Sequence, residues 1–106
     1  MTSNLPIDSA HAPLRAGVLG ATGAVGQRFI ALLADHPGFC IQRLGASVRS
    51  AGRAYGDVVV WRMSTPLPEH VAGMVVTECV PEAFDDCDVI FSGLDAAVAG
   101  DIEHRL

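Results

Sequence analysis

Residues 16–30, AGVLGATGAVGQRFI, contain the pattern on which the fold assignment depends. The short apolar stretch Ala16–Gly20 predicts a buried β-strand, and the glycine-rich turn Gly20–Gly26 follows it at once. From Ala24 or Val25 to about Asp35, apolar residues recur at helical spacing, and the HPG sequence of residues 36–38 ends the helix. This order of strand, glycine turn and helix predicts the start of a parallel α/β fold.

The rest of the chain continues the alternation. The apolar face predicted for the first helix consists of Val25, Phe29, Leu32 and Leu33, with Gln27, Arg28 and Asp35 directed elsewhere. Further strands are predicted at Phe39–Ala46, Asp57–Met63, Met74–Val80 and Cys87–Ser92. A loop is predicted at Ser47–Gly56 and a short helix from Pro81. After the last strand, a final helix is predicted with Asp95 as its cap and with Val98, Ile102 and Leu106 on one face. We therefore expect a parallel sheet with helices on both faces and right-handed crossovers.

Composition limits the function classes. The 106 residues are 50% hydrophobic with a formal net charge of −5, which allows one domain and argues against a general nucleic-acid surface. All seven basic residues are arginines. The sequence shows no secretory signal and no apolar run of membrane-spanning length, so no membrane partner is expected. The cysteines, Cys40, Cys79 and Cys87, form no CxxC pair, are expected to be buried, and suit a reducing cytoplasm.

The glycine turn has the features of a phosphate site. Glycines let a ligand approach the backbone, and the helix that starts there offers unpaired N–H groups and the positive end of its dipole. The candidate residues are Gly20, Thr22, Gly23, Ala24, Val25 and Gly26, with the Thr22 hydroxyl as a further donor. A turn directly after a strand and before a helix is the context of a Rossmann-like dinucleotide site, and a tight turn with no ligand is the alternative.

The end of the second strand indicates which dinucleotide binds. NAD sites place an acidic residue about 20 residues past the glycines, where it contacts the ribose 2′-hydroxyl. No acid occurs here between Asp35 and Asp57. The stretch instead offers Ser47, Arg49 and Ser50, and Arg49 can form charge-assisted hydrogen bonds to a 2′-phosphate. Arg43 and Arg53 complete a local cluster, and the pattern favours NADP over NAD.

A third candidate segment is the turn Ser92-Gly93-Leu94 after the last predicted strand. Ligands in open α/β sheets bind outside the carboxyl ends of the strands, so this turn is expected to face the cofactor. A simple strand-to-helix turn explains the same residues nearly as well.

Four blocks together resemble the N-terminal domain of aspartate-semialdehyde dehydrogenase, closest to the fungal and archaeal branch. The blocks are AGVLGATGAVGQRFI, LGASVRSAGR, ECV and CDVIFSGLDAAVAGDIE, and the resemblance covers about Leu14–Leu106. It implies phosphate-dependent oxidation of L-aspartate-4-semialdehyde to L-4-aspartyl phosphate with NADP, a step toward lysine, methionine and threonine. It also implies cofactor contacts at Thr22–Val25, at Ser47, Arg49 and Ser50, and at Ser92–Leu94. The related N-acetyl-γ-glutamyl-phosphate reductase matches the later blocks less well.

The resemblance also implies that the catalytic residues lie elsewhere. The family's nucleophilic cysteine, in an SNCST-like motif, and its general-base histidine belong to a part not aligned here, and neither motif occurs in this sequence. We expect no catalytic residue and no metal site in this chain, and no activity from it alone. The scattered histidines, His11, His36, His70 and His104, form no ligand pattern.

The expected organisation is a flexible lead-in at residues 1–13 and a truncated NADP-binding Rossmann-type domain at residues 14–106. The final helix ends while its apolar face continues, which suggests that the chain continues in a longer parent protein or that another chain covers this face. The parent protein is expected to be a homo-oligomer. Two alternatives stay open. One is a stand-alone NADP sensor without chemistry, and the other is an interaction piece whose apolar face binds another chain.

Overall fold

The computed structural model describes residues 12–94. Within this range the strands are β1 (Leu14–Leu19), β2 (Phe39–Ala46), β3 (Thr77–Glu78) and β4 (Val89–Ser92). The helices are α1 (Ala24–Ala34), α2 (Tyr55–Val58), α3 (Glu69–Ala72) and a 3₁₀ helix (Pro81–Phe84). The glycine turn, α1 and β2 occur where the sequence predicts them, and β1 and β4 are displaced by about two residues at one end.

The four strands form one parallel sheet in the order β3-β2-β1-β4. Leu19, at the end of β1, is paired with Gly45 on one side and with Ser92 on the other. The carboxyl ends of three strands therefore meet at one edge. This order is the one found in the first half of a Rossmann sheet, which confirms the predicted fold class.

The buried face of α1 differs from the predicted one. The buried residues of this helix are Gly26, Gln27, Ile30 and Leu33. Val25 and Leu32, both assigned to the apolar face, are 53% and 66% exposed. Apolar residues occur around most of this helix, so periodicity alone left its orientation open. The close contact of Gly26 with the preceding turn determines which side faces the sheet.

The predicted strand Asp57–Met63 is wrong. Its first residues form α2, which closes where the Val59 N–H donates to the Tyr55 carbonyl at 3.0 Å. The following backbone pairs with a side chain instead of a strand, because Gln27 bonds the Val60 carbonyl and the Arg62 N–H. β-Branched residues favour strands, but here a polar partner supplies the hydrogen bonds that a sheet would supply.

The predicted strand Met74–Val80 is reduced to β3. The reason lies in its first half, where Val75 forms an antiparallel bridge with Ala54. Val76 exchanges two further backbone bonds with Gly52 and Arg53, at 2.8 and 2.9 Å. This part of the chain therefore pairs with the loop after β2 and only Thr77–Glu78 joins the sheet. The helix α3, after Pro68, has no counterpart among the predictions.

The two faces of the sheet are covered differently. Ala16 and Val18 face a core that includes Ile30 of α1, Tyr55 of α2 and Val71 of α3. The alternate residue Gly17 faces the ring of Phe84, which also lies over Gly45. A Cβ at either glycine would lie within 2.7 Å of this ring, so both positions need glycine. The predicted short helix from Pro81 is thus present as the 3₁₀ helix that carries Phe84.

Two predictions fall outside the described residues: the final helix beginning at Asp95, and all but the last two residues of the lead-in at 1–13. Within residues 12–94 no helix is long and apolar enough to cross a membrane.

Candidate functional site

The glycine turn is built by close backbone contacts. Gly20 has a φ of 68°, in the left-handed region that glycine adopts without strain. A Cβ at Gly26 would overlap the carbonyl oxygen of Gly20. A Cβ at Gly93 would lie 2.6 Å from the Gly26 nitrogen. Three glycines therefore bring the end of β1, the start of α1 and the turn after β4 into direct contact.

Gly23 differs from these three glycines. It is the N-cap residue of α1 with an ordinary φ of −84°, and a Cβ there would have no atom nearer than 3.6 Å, the Gly20 carbonyl oxygen. Gly23 is exposed, as are Ala24 and Val25. The protein itself does not require glycine at position 23. A ligand that approaches the backbone from solvent would require glycine there, because a side chain at position 23 would occupy the space of the ligand.

The start of α1 presents free donors. Among the described residues, no backbone or side-chain acceptor is bonded to the N–H groups of Thr22, Ala24, Val25 and Gly26. No acidic residue occupies the first turn. Free N–H groups at the positive end of a helix dipole form an anion site, and a pyrophosphate is the anion that a strand–turn–helix of this kind accommodates.

The loop after β2 reaches the same edge of the sheet. Ser47 and Arg49 are exposed and Ser50 is half-buried. The loop is shaped by its own backbone, since the Ser47 carbonyl accepts bonds from the N–H groups of Ser50 and Ala51 at 3.0 and 3.1 Å. Its side chains therefore remain available to a ligand outside the carboxyl end of β2.

The predicted arginine cluster divides into two functions. Arg43 forms an ion pair with Asp86 at 2.7 Å, so it does not belong to the anion site and its inclusion in the cluster is wrong. A hydrogen bond from Gln42 and the charge of Arg43 lower the pKa of the Asp86 carboxyl. Arg49 and Arg53 are exposed and form no ion pair with the carboxylates of residues 12–94. Within this cluster, these two arginines are therefore the positive charges available to a ligand at this edge of the sheet.

The turn Ser92-Gly93-Leu94 lies against the glycine turn, as its position after β4 predicts. The Gly93 N–H donates to the Leu19 carbonyl at 2.7 Å, and the Leu94 N–H donates to the Ser92 hydroxyl at 3.4 Å. All three residues are half-buried. The structure thus assembles the three predicted segments at one edge of the sheet, which is open and encloses no cavity among the described residues.

Two residues of this site escaped the sequence analysis. The hydroxyl of the buried Tyr55 donates to the Ala21 carbonyl at 2.6 Å. Gln27, only 1% exposed, donates to the Thr22 carbonyl at 3.0 Å. Burial raises the pKa of the Tyr55 hydroxyl well above its usual range, which keeps it protonated as a donor. A polar residue directly after the last glycine of the turn is a signal that could have indicated Gln27, whereas Tyr55 follows a loop in a stretch with no such pattern.

Within residues 12–94, the cysteines and histidines form no evident reactive centre. Cys40 is exposed, so its expected burial is wrong, and Cys79 and Cys87 are half-buried. Desolvation raises the pKa of the Cys79 thiol and raises that of Cys87 to about 11, so both remain thiols at neutral pH. The His36 ring accepts a bond from the Gly38 N–H at 2.9 Å. Residues 12–94 contain no group of three potential metal ligands.

Known proteins match this chain in sequence over most of its length. A family model described as semialdehyde dehydrogenase, NAD binding domain, matches residues 15–106. A curated aspartate-semialdehyde dehydrogenase from Cryptococcus neoformans is 58% identical over 98 residues, which is 91% of this chain and 27% of the relative. One from the archaeon Methanothermobacter thermautotrophicus is 51% identical, over 84% of this chain and 26% of the relative. The chain thus spans about a quarter of the length of these relatives.

A solved structure agrees with the sequence matches. The crystal structure of aspartate-semialdehyde dehydrogenase with NADP from Candida albicans superposes with a TM-score of 0.82 at 60% identity, over 87% of this chain and 26% of that one. The likeness in fold and sequence covers the glycine turn and the loop after β2 together. The chain therefore belongs to the semialdehyde dehydrogenase family and corresponds to its NAD-binding domain.

Proposed function

We propose that this chain is the NADP-binding part of an aspartate-semialdehyde dehydrogenase. The observation that carries the proposal is the meeting of two anion sites at one sheet edge: the free N–H groups at the start of α1 and the exposed Arg49 loop. Their separation into a backbone site and an arginine site suits the pyrophosphate and the 2′-phosphate of one dinucleotide. The 60% identity to a dehydrogenase solved with NADP supports the same conclusion.

Each candidate residue has a defined part in binding. The N–H groups of Thr22, Ala24 and Val25 donate to the pyrophosphate, the buried Gly26 lets the turn pack closely beneath it, and the absence of a side chain at Gly23 leaves room for it. Arg49 contacts the 2′-phosphate, with Ser47 and Ser50 as hydroxyl donors and Arg53 as a second cation. Gly20 shapes the turn. Ser92, Gly93 and Leu94 border the same edge and contact the ribose or nicotinamide side of the coenzyme.

The proposed reaction converts L-aspartate-4-semialdehyde, phosphate and NADP⁺ to L-4-aspartyl phosphate, NADPH and a proton. Bound NADP supplies the hydride acceptor for the aldehyde carbon. This chain binds and orients the dinucleotide, and the nucleophile and base come from the rest of a longer protein. Cys79 and Cys87 are held as thiols, and Cys40 lies near the amino end of β2, about 15 Å along the strand from the site.

The wider setting belongs to the same proposal. The free thiols of Cys40, Cys79 and Cys87 fit a reducing compartment, for which the cytoplasm is the simplest choice. As a biosynthetic dehydrogenase the parent protein is expected to be a homo-oligomer, with neither a membrane nor a nucleic acid as partner. The net charge of −5 agrees with the expectation that no nucleic acid is a partner.

A calorimetric titration of the chain with NADP and, separately, with NAD tests the proposal. We expect saturable binding of NADP and clearly weaker binding of NAD. A preference for NAD would contradict the assignment of the Arg49 loop, and failure to bind either would contradict the coenzyme site. Adding L-aspartate-4-semialdehyde and phosphate to the NADP complex should yield no NADPH, because the catalytic groups are absent from this sequence. NADPH formation would refute the proposal that this chain binds the coenzyme but does not carry the catalytic groups.

A further inference from the structure

Hydrogen bonds to successive peptide units hold the glycine turn in shape, and the first unit is held by backbone alone. The Ala21 N–H donates to the Gly45 carbonyl at 2.9 Å, and the Gly20 carbonyl accepts from the Gly23 N–H at 3.1 Å. Both ends of the peptide between Gly20 and Ala21 are thus bonded to backbone. The neighbouring strand and the turn itself are sufficient to hold this unit.

The second peptide unit depends on a side chain. The Ala21 carbonyl accepts the hydroxyl proton of Tyr55 at 2.6 Å. The N–H of the same unit, on Thr22, has no acceptor among the described residues. All peptides of the described chain are trans, so this N–H points away from the carbonyl that Tyr55 holds. The Tyr55 hydroxyl is therefore the one anchor, within residues 12–94, of a peptide whose N–H faces the pyrophosphate side.

The third peptide unit is held by a buried amide. Gln27 Nε2 donates to the Thr22 carbonyl and to the Val60 carbonyl, both at 3.0 Å. Gln27 Oε1 accepts from the Arg62 N–H at 2.8 Å. All the strong donors and the acceptor of this side chain are thus engaged, which explains how an amide can be 1% exposed. Gln27 joins the glycine turn to the segment on either side of Trp61.

We propose that Tyr55 and Gln27 are positioning residues of the coenzyme site, which hold the Ala21 and Thr22 carbonyls away from the bound pyrophosphate. The inference rests on the proposed NADP function and extends it to residues that need not touch the coenzyme. Carbonyl oxygens repel an anion, and a turn whose peptides rotate would present them to it part of the time. Fixing the peptides before binding removes that cost from the affinity.

The two residues also join separate parts of the site. Tyr55 directly follows the loop that carries Arg49 and Arg53, and its own N–H donates to the Met74 carbonyl at 2.8 Å. Its hydroxyl spans from that loop to the glycine turn. Loss of the hydroxyl should nevertheless affect the shared pyrophosphate, not the 2′-phosphate, because the bonded group is the Ala21 carbonyl.

The test compares Tyr55→Phe and Gln27→Met with the unaltered chain by titration with NADP and NAD at 10 °C. Tyr55→Phe keeps the ring and removes only the donor, and we expect both dissociation constants to rise about fivefold. Gln27→Met keeps the length and removes all three bonds, for an expected rise of about tenfold in both constants. The control is Ile30→Val, which loses a buried methylene one turn further along α1 without touching the turn. It should lower the melting temperature and leave both constants unchanged.

Trp61 supplies a second measurement. It is the only tryptophan of the chain, and its indole N–H donates to the Thr65 carbonyl at 2.7 Å. Gln27 bonds the residue before it and the residue after it. We expect Gln27→Met to change the Trp61 emission of the ligand-free chain and Tyr55→Phe to leave it unchanged. If the Trp61 emission did not change in Gln27→Met, this would contradict the inference that Gln27 holds the segment around Trp61 in place.

The outcomes separate the inference from the function beneath it. If the unaltered chain binds neither dinucleotide, the proposed function fails and takes the inference with it. If the unaltered chain binds NADP and both variants bind it equally well, only the positioning role is refuted. A loss confined to NADP would also refute it, because that would place the effect at the 2′-phosphate. Should Gln27→Met be unfolded at 10 °C, Tyr55→Phe decides alone.

Discussion

In the site that we propose, the glycine turn and the arginine loop would bind two parts of one ligand by opposite means. In the turn, the residues from Gly20 to Gly23 are held by backbone partners, by the buried Tyr55 hydroxyl and by the buried Gln27 amide. In the loop, Arg49 and Arg53 extend into solvent, and only the backbone is fixed. The turn holds its donors in place before a ligand arrives, whereas we expect the exposed loop side chains to become ordered on binding. The first arrangement suits a group common to all dinucleotides, and the second suits the group that distinguishes them.

The largest effect should follow substitution inside the turn, with Gly26→Ala. The new methyl group would overlap the Gly20 carbonyl oxygen, so the turn or the helix must shift. We expect the free energy of unfolding to fall by roughly 3 kcal/mol or more, measured by urea denaturation. The matched control is Gly73→Ala, where a Cβ meets nothing closer than 3.7 Å and the change should stay within about 0.5 kcal/mol. Equal stability of the two variants would mean that the turn is not tightly packed.

Gly23→Val separates ligand space from packing space. Because position 23 is open on the protein side, we expect the valine side chain to occupy the space proposed for the pyrophosphate. Losing one or more charge-assisted N–H contacts should weaken NADP and NAD alike, by about tenfold or more. Titration calorimetry measures both constants. A changed ratio of the NADP and NAD dissociation constants would show that the turn also contacts the 2′-phosphate. The turn would then not differ from the loop in the way described above.

Arg49→Ala should affect the loop alone. Removing a charge-assisted contact should weaken the binding of NADP by about 1–3 kcal/mol and leave the binding of NAD nearly unchanged. The control is Arg43→Ala, because Arg43 is engaged by Asp86 and lies outside the site. If Arg43→Ala lowers the preference for NADP as much as Arg49→Ala does, the preference depends on the local positive charge and not on the position of Arg49. Arg53→Ala, measured in parallel, divides the effect between the two exposed arginines.

The smallest expected effect is on pH dependence. The second ionisation of a phosphate monoester lies near pH 6, so the 2′-phosphate loses one negative charge as the pH falls from about 8 to 5. Its attraction to Arg49 and Arg53 should weaken a few-fold over this range. In the turn, burial holds the pKa of Tyr55 far above this range, so the affinity for NAD should stay constant. A NAD affinity that varies with pH would show that a titrating group contributes to the turn.

Sequence reasoning succeeded where local chemistry decides the structure. The order of β1, glycine turn, α1 and β2 follows from hydrophobic runs and from HPG at residues 36–38, and the structure confirms it. The parallel sheet then brings the three candidate segments to one edge. The NADP contacts themselves remain a proposal, because they depend on side chains whose partner is a ligand.

The wrong strand predictions share one physical cause: long-range hydrogen bonds replaced the expected local pattern. Residues 57–63 contain enough β-branched residues for a strand, yet Gln27 satisfies their backbone from a helix 33 to 35 positions earlier. Val75 and Val76 pair with the loop around Ala54 instead of extending β3. Gln27 itself was placed on the wrong side of α1, because a buried amide looks like a surface residue until its partners are known.

Exposure of the arginine loop has a consequence for how coenzyme preference can change during evolution. Ser47 and Arg49 contribute nothing to the core, so exchanging them costs little folding stability. An acidic residue in their place would repel a 2′-phosphate and accept a hydrogen bond from a ribose hydroxyl. If the loop sets the coenzyme preference as we propose, a lineage could exchange NADP for NAD through a few surface substitutions while the glycine turn stays unchanged.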